Sequence, residues 1–326
     1  MRRNAVLGAV LMVGILAMSL HAEAQQKPKL VKVGILHGGD FTPAAVNALE
    51  HGLRDRGWLT GHNLALEYRA ARGDLERLPA LAAELLSLNV DVIVAATAPE
   101  TRAARLATRT TPIVFVAHGD PVGVGDIQSL ARPGGNATGF AQMHPELATK
   151  QLELLKALGS RVTRVAVLWN ASVATKAADW RELTPAAKAL GVALESHEIR
   201  RADDLADVFG ALMRGRPDAV LVLGDPLVFS LRRAIAEFAA KERLLAMGPW
   251  KPFVNAGGLI SYGADTVDLW RRASGHVDRI LRGAKPGDLP VEQATKFELV
   301  INLKTARALG FTFPSSLLLR ADQVIE

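Results

Sequence analysis

The sequence predicts an α/β protein of two similar lobes, each a parallel β-sheet flanked by helices. Three observations carry that prediction. The order strand, loop, helix, strand, helix, strand occurs twice along the chain. At 326 residues the chain is longer than one hydrophobic core organises, since single cores stop growing near ~250–300 residues. Equivalent strands in both halves end in loops of glycine, aspartate and proline.

In the first half, Val31 to Leu36 is a β-branched apolar run that stops at His37-Gly38-Gly39-Asp40, and a helical stretch follows from Pro43 to Arg56, closed by Gly57. Leu64 to Tyr68 is the second strand, Leu78 to Leu88 has helical apolar spacing, and Val90 to Ala95 is a strand ending at Thr97-Ala98-Pro99. The second half repeats the order. Arg164 to Leu168 is a strand, Trp169-Asn170-Ala171 a loop, and Ala174 to Leu190 a helix closed by Gly191. Val192 to Ile199 is a strand, Asp204 to Arg214 is helical, and Ala219 to Leu223 is a strand ending at Gly224-Asp225-Pro226. Each half continues into a further short strand, Pro112 to Ala117 in one and Leu244 to Met247 in the other. Sheets of this kind take ligands at the carboxyl ends of their strands. If the two sheets face each other, the small and polar loops line one cleft.

The first residues bear on the compartment. Met1-Arg2-Arg3-Asn4 is a short basic start, Ala5 to Leu20 is apolar or small, and Ala22-Glu23-Ala24 is an A-x-A cleavage signal, so residues 1–24 read as a signal peptide. The run is shorter than the ~20 apolar residues of a stable membrane span. The chain contains no cysteine, which removes disulfides, thiol nucleophiles, Cys-ligated metals and a lipidated cysteine after the leader. The expectation is therefore a periplasmic protein that is not a lipoprotein. A formal net charge of +6 is spread without a basic run, unlike the concentrated patch of a nucleic-acid binder.

Several stretches together resemble the ABC transporter substrate-binding family described as tryptophan/tyrosine-type, a branch of the type 1 periplasmic binding proteins. They include Leu53-Arg54-Asp55-Arg56-Gly57-Trp58, Gly119-Asp120-Pro121-Val122-Gly123, Arg132-Pro133-Gly134-Gly135-Asn136, Asp225-Pro226-Leu227, Gly257-Gly258-Leu259-Ile260-Ser261-Tyr262-Gly263 and Lys296-Phe297-Glu298-Leu299-Val300-Ile301-Asn302. The resemblance implies two Rossmann-like lobes joined by a three-strand hinge. The crossings fall near Ala141 to His144, Ser261 to Gly263 and Leu289 to Glu298. Residues 29–142 plus 262–288 then form the N-terminal lobe, and 143–261 plus 289–326 the C-terminal lobe. A helix from Asp265 to Leu281 would pack on the first lobe through Trp270 and Ile280. The implied function is capture of a small polar ligand, an amino acid with aromatic ones among the candidates. The implied partners are a membrane permease and its cytoplasmic ATPase, with the binding protein itself a monomer. The chain departs from the family pattern at His37-Gly38-Gly39, at Ala96 to Pro99, at Ala171-Ser172 and around Gly248 to Phe253, all ligand-facing places, so the resemblance carries the fold and leaves the ligand open.

Candidate ligand-binding residues follow from the strand ends. Thr97 and Ala98 precede a helix and suit an anionic group, although Thr97 also reads as a simple cap. Asp120 and Asp225, each followed by a proline (Pro121, Pro226), suit an ammonium or hydroxyl group, and each also reads as an Asx turn. His37 and Asn170 end matching strands of the two halves. His118 precedes the first Gly-Asp-Pro triplet, Trp250 offers a planar surface, and Tyr262 stands at the second crossover. No catalytic set assembles, because G-x-S-x-G, H-E-x-x-H and a thiol are all missing from the sequence and the eight histidines lack ligand spacing. Gly123-Val124-Gly125 lacks the third glycine of a dinucleotide fingerprint, and no phosphate-binding loop occurs, so neither an enzyme nor a cofactor is expected. The remaining alternative is the same fold serving as a ligand-sensing module for a membrane receptor.

Overall fold

The computed structural model describes residues 30–142 and 144–326. The expected signal peptide, residues 1–24, lies outside the described residues. Among those described, no helix is long and apolar enough to cross a membrane.

The first sheet contains β1 (Val31–His37), β2 (Leu64–Ala70), β3 (Val92–Ala95), β4 (Ile113–His118), β5 (Ala137–Ala141) and β11 (Glu292–Gln293), in the order β11-β5-β4-β3-β1-β2 and with every pairing parallel. The helices of this part of the chain are α1 (Pro43–Arg54), α2 (Leu78–Ser87) and α3 (Ala98–Ala107). The second sheet contains β6 (Arg164–Trp169), β7 (Ala193–Glu198), β8 (Ala219–Val222), β9 (Leu245–Gly248), β10 (Ile260–Ala264), β12 (Phe297–Asn302) and β13 (Gln323–Ile325), in the order β13-β12-β10-β9-β8-β6-β7. It is parallel except at the β10–β12 pair. Around it run α4 (His144–Lys156), α5 (Ala174–Leu190), α6 (Leu205–Gly215), α7 (Pro226–Lys241) and the short α8 (Lys251–Asn255). Next come α9 (Thr266–Leu281), α10 (Leu303–Leu309) and α11 (Ser315–Leu318).

Local chemistry explains most boundaries. Thr42 accepts a bond from Ala45 N at 3.3 Å and Pro43 opens α1, because a proline loses nothing at the first helical position. Gly191 ends α5 in the left-handed region that a Cβ disfavours, with φ 64°. The continuous apolar runs read as buried strands are buried on both faces: β3, β4 and β8 are buried throughout. Helices on each face of each sheet supply the cover, which gives four hydrophobic clusters, two per sheet.

The chain passes between the sheets three times. It leaves β5 for α4, leaves β10 for α9, and passes from β11 to β12 through residues 294–296. Two crossings fall later than the expected lobe limits. Tyr262 to Ala264 complete β10 in the second sheet, because Ile260 to Ala264 pair in unbroken antiparallel register with Ile301 to Phe297. Glu292 and Gln293 belong to the first sheet, held there by parallel pairing with Phe140 and Ala141. The helix expected from 265 to 281 is present as α9, with Leu269, Trp270, Ala273, Val277 and Ile280 buried in the first core.

Gly52 sets how closely α9 can lie on α1. A Cβ at this position would overlap Ser274 Oγ and would come within 2.8 Å of Arg271 O. Because the backbone carbonyl cannot swing away, Gly52→Val should destabilise the protein by about 2 kcal/mol or more. Thermal unfolding checks this, and a melting temperature equal to wild type would contradict it.

Candidate functional site

In the first sheet the chain leaves β1 for β2 on one side and returns to β3 on the other. The second sheet does the same from β6 to β7 and β8. Strand ends diverge at such switch points and leave a crevice. The two crevices open toward each other. Gly38 and Gly39, after β1, come against Pro226 and Phe229 at the start of α7. A Cβ on Gly38 would stand 2.7 Å from Pro226 Cβ, and one on Gly39 would stand 3.1 Å from Pro226 O.

Between the lobes lies a cavity of about 100 Å3. His37, Thr97, Ala98, Asp225, Pro226 and Trp250 line it, as the strand-end argument anticipates. Five other candidates do not. Asn170 is fully buried behind the lining. His118 is fully buried and turned toward Asp126, its Nε2 lying 3.0 Å from Asp126 Oδ2. Asp120 folds onto its own loop, accepting from Gly123 N at 2.8 Å. The Pro121 carbonyl accepts from Asp126 N and Ile127 N and closes that same loop. Tyr262 stacks on Phe297 with ring centroids 6.0 Å apart, and its carbonyl accepts from the Gln151 amide at 2.7 Å. The β4–β5 loop is thus a structural knot. Burial works to raise the Asp126 carboxyl pKa, but the bonds from His118 and Arg105 outweigh it and hold the group below the usual carboxylate value.

Other lining residues come from places the strand-end rule does not reach. Val173 is the N-cap of α5 and Thr175 and Lys176 lie in its first turn, Phe229 lies on α7, and Trp270 reaches the cavity from α9 after the second crossover. Trp270 runs parallel to the His37 ring at 6.2 Å, and Trp250 meets Phe229 edge-on at 5.1 Å. Each lobe therefore contributes a pair of aromatic rings to the cavity. Helical spacing places the start of α5 at Ala174 but carries no signal for which way its first turn faces.

The polar groups are unequal. Asp225 caps α7 with one oxygen, Oδ1, which accepts from Leu227 N at 2.7 Å and Val228 N at 3.1 Å. Its other oxygen, Oδ2, is buried without a hydrogen-bond partner. Burial pushes this carboxyl up to about 6, against the lowering effects of Val228 N–H, the Lys176 charge, Leu227 N–H and Asn170. Asn170 stands close enough to favour the ionised form, yet its Nδ2 also completes no hydrogen bond of ordinary geometry. Asn170 Oδ1 is occupied by Ser172 N and Ser172 Oγ. Lys176 pairs with Asp179, both buried on α5. His37 is held below its usual pKa by burial, which outweighs the nearby charge of Glu100, so the ring is neutral at pH 7. Because His37 Nδ1 accepts from Gly39 N at 3.0 Å, the proton of the neutral ring sits on Nε2.

Two doubly wound lobes, crossed by three segments and meeting around a cavity at the carboxyl ends of both sheets, define a type 1 periplasmic binding fold with an interlobe cleft. The chain belongs to the ABC transporter substrate binding protein family, whose sequence model matches residues 31–325. It is 28% identical over 257 residues to the tyrosine-binding protein of Clostridioides difficile, covering 79% of this chain and 74% of that one. Among solved structures it is similar to a conserved domain protein from Vibrio cholerae (29% identity, TM-score 0.85) and to the ABC domain from Streptococcus pneumonia in complex with L-Trp (27% identity, TM-score 0.83). Each alignment covers 91% of this chain and 100% of the other.

The raised Asp225 value fixes the sign of a stability effect. The group favours folding while protonated, below its unfolded value of 3.8, and that contribution is lost as pH rises through about 6. Asp225→Asn, which keeps a capping oxygen, should leave the ligand-free protein at pH 7 as stable as wild type or more stable by about 1–3 kcal/mol. The difference should vanish at pH 4. Thermal melts at the two pH values test this, and a variant less stable than wild type at pH 7 would contradict it.

Proposed function

We propose that the protein captures a free amino acid, with an aromatic side chain, in the cavity between its lobes, and that the closed, loaded form is what the permease of an ABC importer receives. The observation that carries this reading is a buried carboxylate with one unbonded oxygen, Asp225 Oδ2, set in a cavity walled by aromatic rings from both lobes. An unpaired buried carboxylate is costly, and an ammonium group is the partner that offsets its desolvation. The aromatic walls suit a planar side chain. Two similar chains support the choice: one is named for tyrosine, and the other was solved with L-Trp.

Entry requires the lobes to part, since Asp225 is 5% exposed and Lys176 2%. The three crossing segments are the natural place for that motion. A ligand that touches both lobes only when they meet selects the closed form by differential affinity, which lets a permease read occupancy as shape. The energy for transport comes from the importer's own ATPase. The capture step belongs outside the cytoplasmic membrane, and a monomer suffices for it because both walls of the cavity come from one chain.

Native mass spectrometry of the purified protein, followed by thermal-shift titration with L-tryptophan and L-tyrosine, tests the reading. A ligand at about 100 times its Kd contributes ~2.7 kcal/mol, which raises the melting temperature of a protein this size by roughly 5 °C. No shift with any amino acid would overturn the assignment. Affinity should be full above pH 6 and fall by up to about tenfold per pH unit below it, as Asp225 takes up a proton. Gly39→Ala should weaken binding about tenfold while leaving the ligand-free melt little changed, because the added methyl would crowd Pro226 O and Phe229 of the other lobe, at 3.1 and 3.3 Å, only when the lobes are together.

A further inference from the structure

The two lobes present equivalent crevices with opposite chemistry. In the first, Glu100 on α3 reaches across the switch point. Its Oε1 accepts from Gly38 N at 2.5 Å on the β1 side, and its Oε2 accepts from Thr97 N at 3.0 Å and Thr97 Oγ1 at 2.5 Å on the β3 side. Glu100 is fully buried. A carboxylate already occupies the electropositive end of α3 and takes the Thr97 hydroxyl, so a second anion placed there would be repelled.

The second crevice lies between the loops after β6 and β8, which are hydrogen-bonded neighbours. Its helix start is open. Val173 caps α5 with no side-chain acceptor, and the first turn contains no acidic residue. Of the leading N–H groups, those of Lys176 and Ala177 bond to Val173 O. Those of Ala174 and Thr175, and the Thr175 hydroxyl, have no hydrogen-bond partner among the described residues. Thr175 is 3% exposed and lines the cavity. An independent feature points to a ligand at the same place: across the crevice stands Asp225, 5% exposed, with Oδ2 unbonded. One side of the crevice thus offers donors at a helix start and the other an acceptor, the arrangement that an α-amino acid head group completes.

We propose that both charged groups of the ligand are recognised by the second lobe alone, the carboxylate by the first turn of α5 and the ammonium by Asp225. The first lobe then closes over the side chain, with His37 and Trp270 setting which side chain fits. The assignment rests on the amino-acid reading above, and it moves the anion site from Thr97 and Ala98 to the start of α5 at Thr175. It also fixes the order of events: the ligand docks on the second lobe of the open protein, and the first lobe follows.

Isothermal titration with L-tryptophan, tryptophan methyl ester and indole-3-propionate separates the two ends. Wild type should bind L-tryptophan best. Thr175→Val, and Ala174→Asp at an exposed position, should each lose about 10-fold or more for L-tryptophan and little for the ester, in line with a hydrogen bond to a charged group. Asp225→Asn should lose about 100-fold for L-tryptophan and little for indole-3-propionate. Thr97→Val should leave the preference for acid over ester unchanged. In Gly39→Phe, whose side chain would run into Pro226 O and Phe229 of the other lobe and keep the lobes from meeting, weak binding that still depends on Asp225 is expected. If Thr97→Val instead abolishes the acid preference while Thr175→Val keeps it, or if the open-locked protein binds without regard to Asp225, the assignment to the second lobe is overturned. Failure of wild type to bind L-tryptophan, L-tyrosine or any other amino acid would remove the ligand class, and this assignment with it.

Discussion

One buried carboxylate sets the terms for the whole cleft. Asp225 must be where it is to start α7, because Leu227 N and Val228 N need an acceptor and Pro226 supplies none of its own. That requirement commits one oxygen and leaves the other buried. The surroundings relieve it only in part: Asn170 and the Lys176 charge favour the ionised form, yet burial outweighs them, Oδ2 accepts no hydrogen bond of ordinary geometry, and Lys176 is paired with Asp179. A cap that serves the fold therefore leaves an unmet electrostatic demand in the interlobe cavity. The energetics of ligand capture depend on that demand, since the protein carries the cost of burial in advance and a cation relieves it on arrival.

The two sheets are related by repetition, but their crevices have diverged. Glu100 and Asp225 both sit at the start of a helix that follows the third strand of a lobe, α3 and α7. Glu100 stands three residues into the turn and folds back, so both of its oxygens are satisfied and Gly38 is drawn in. Asp225 stands at the cap itself and is too short to fold back. A difference of one methylene and three positions turns one crevice into a finished piece of structure and leaves the other open.

The fold was legible because its signals are local. Apolar β-branched runs, helical spacing and glycine stops place β1 to β4 and β6 to β9 close to where they occur, and the repetition of the pattern points to two sheets. Six of the eleven candidate residues line the cavity for the same reason: the carboxyl ends of parallel strands, and the loops that leave them, all lie at one edge of the sheet. The others fail where local patterning says nothing about direction. His118, Asp120 and Pro121 lie on the right loop, but Asp126, eight residues past His118, draws the loop onto itself. Tyr262 falls inside a strand whose full length is set by antiparallel pairing with β12, a long-range contact. Trp270 and Thr175 are helix residues whose approach to the cleft depends on how α9 packs on α1 and on which way α5 leaves β6.

The measurement closest to the centre of this account is the titration of Asp225 itself, followed by carboxyl 13C NMR in the presence and absence of saturating L-tryptophan. The ligand-free protein should show a group titrating near 6 that disappears in Asp225→Asn, and saturation should drive it down by two units or more as the ammonium pairs with Oδ2. A titration that stays near 6 in the saturated protein would mean that the ligand's charge lies elsewhere.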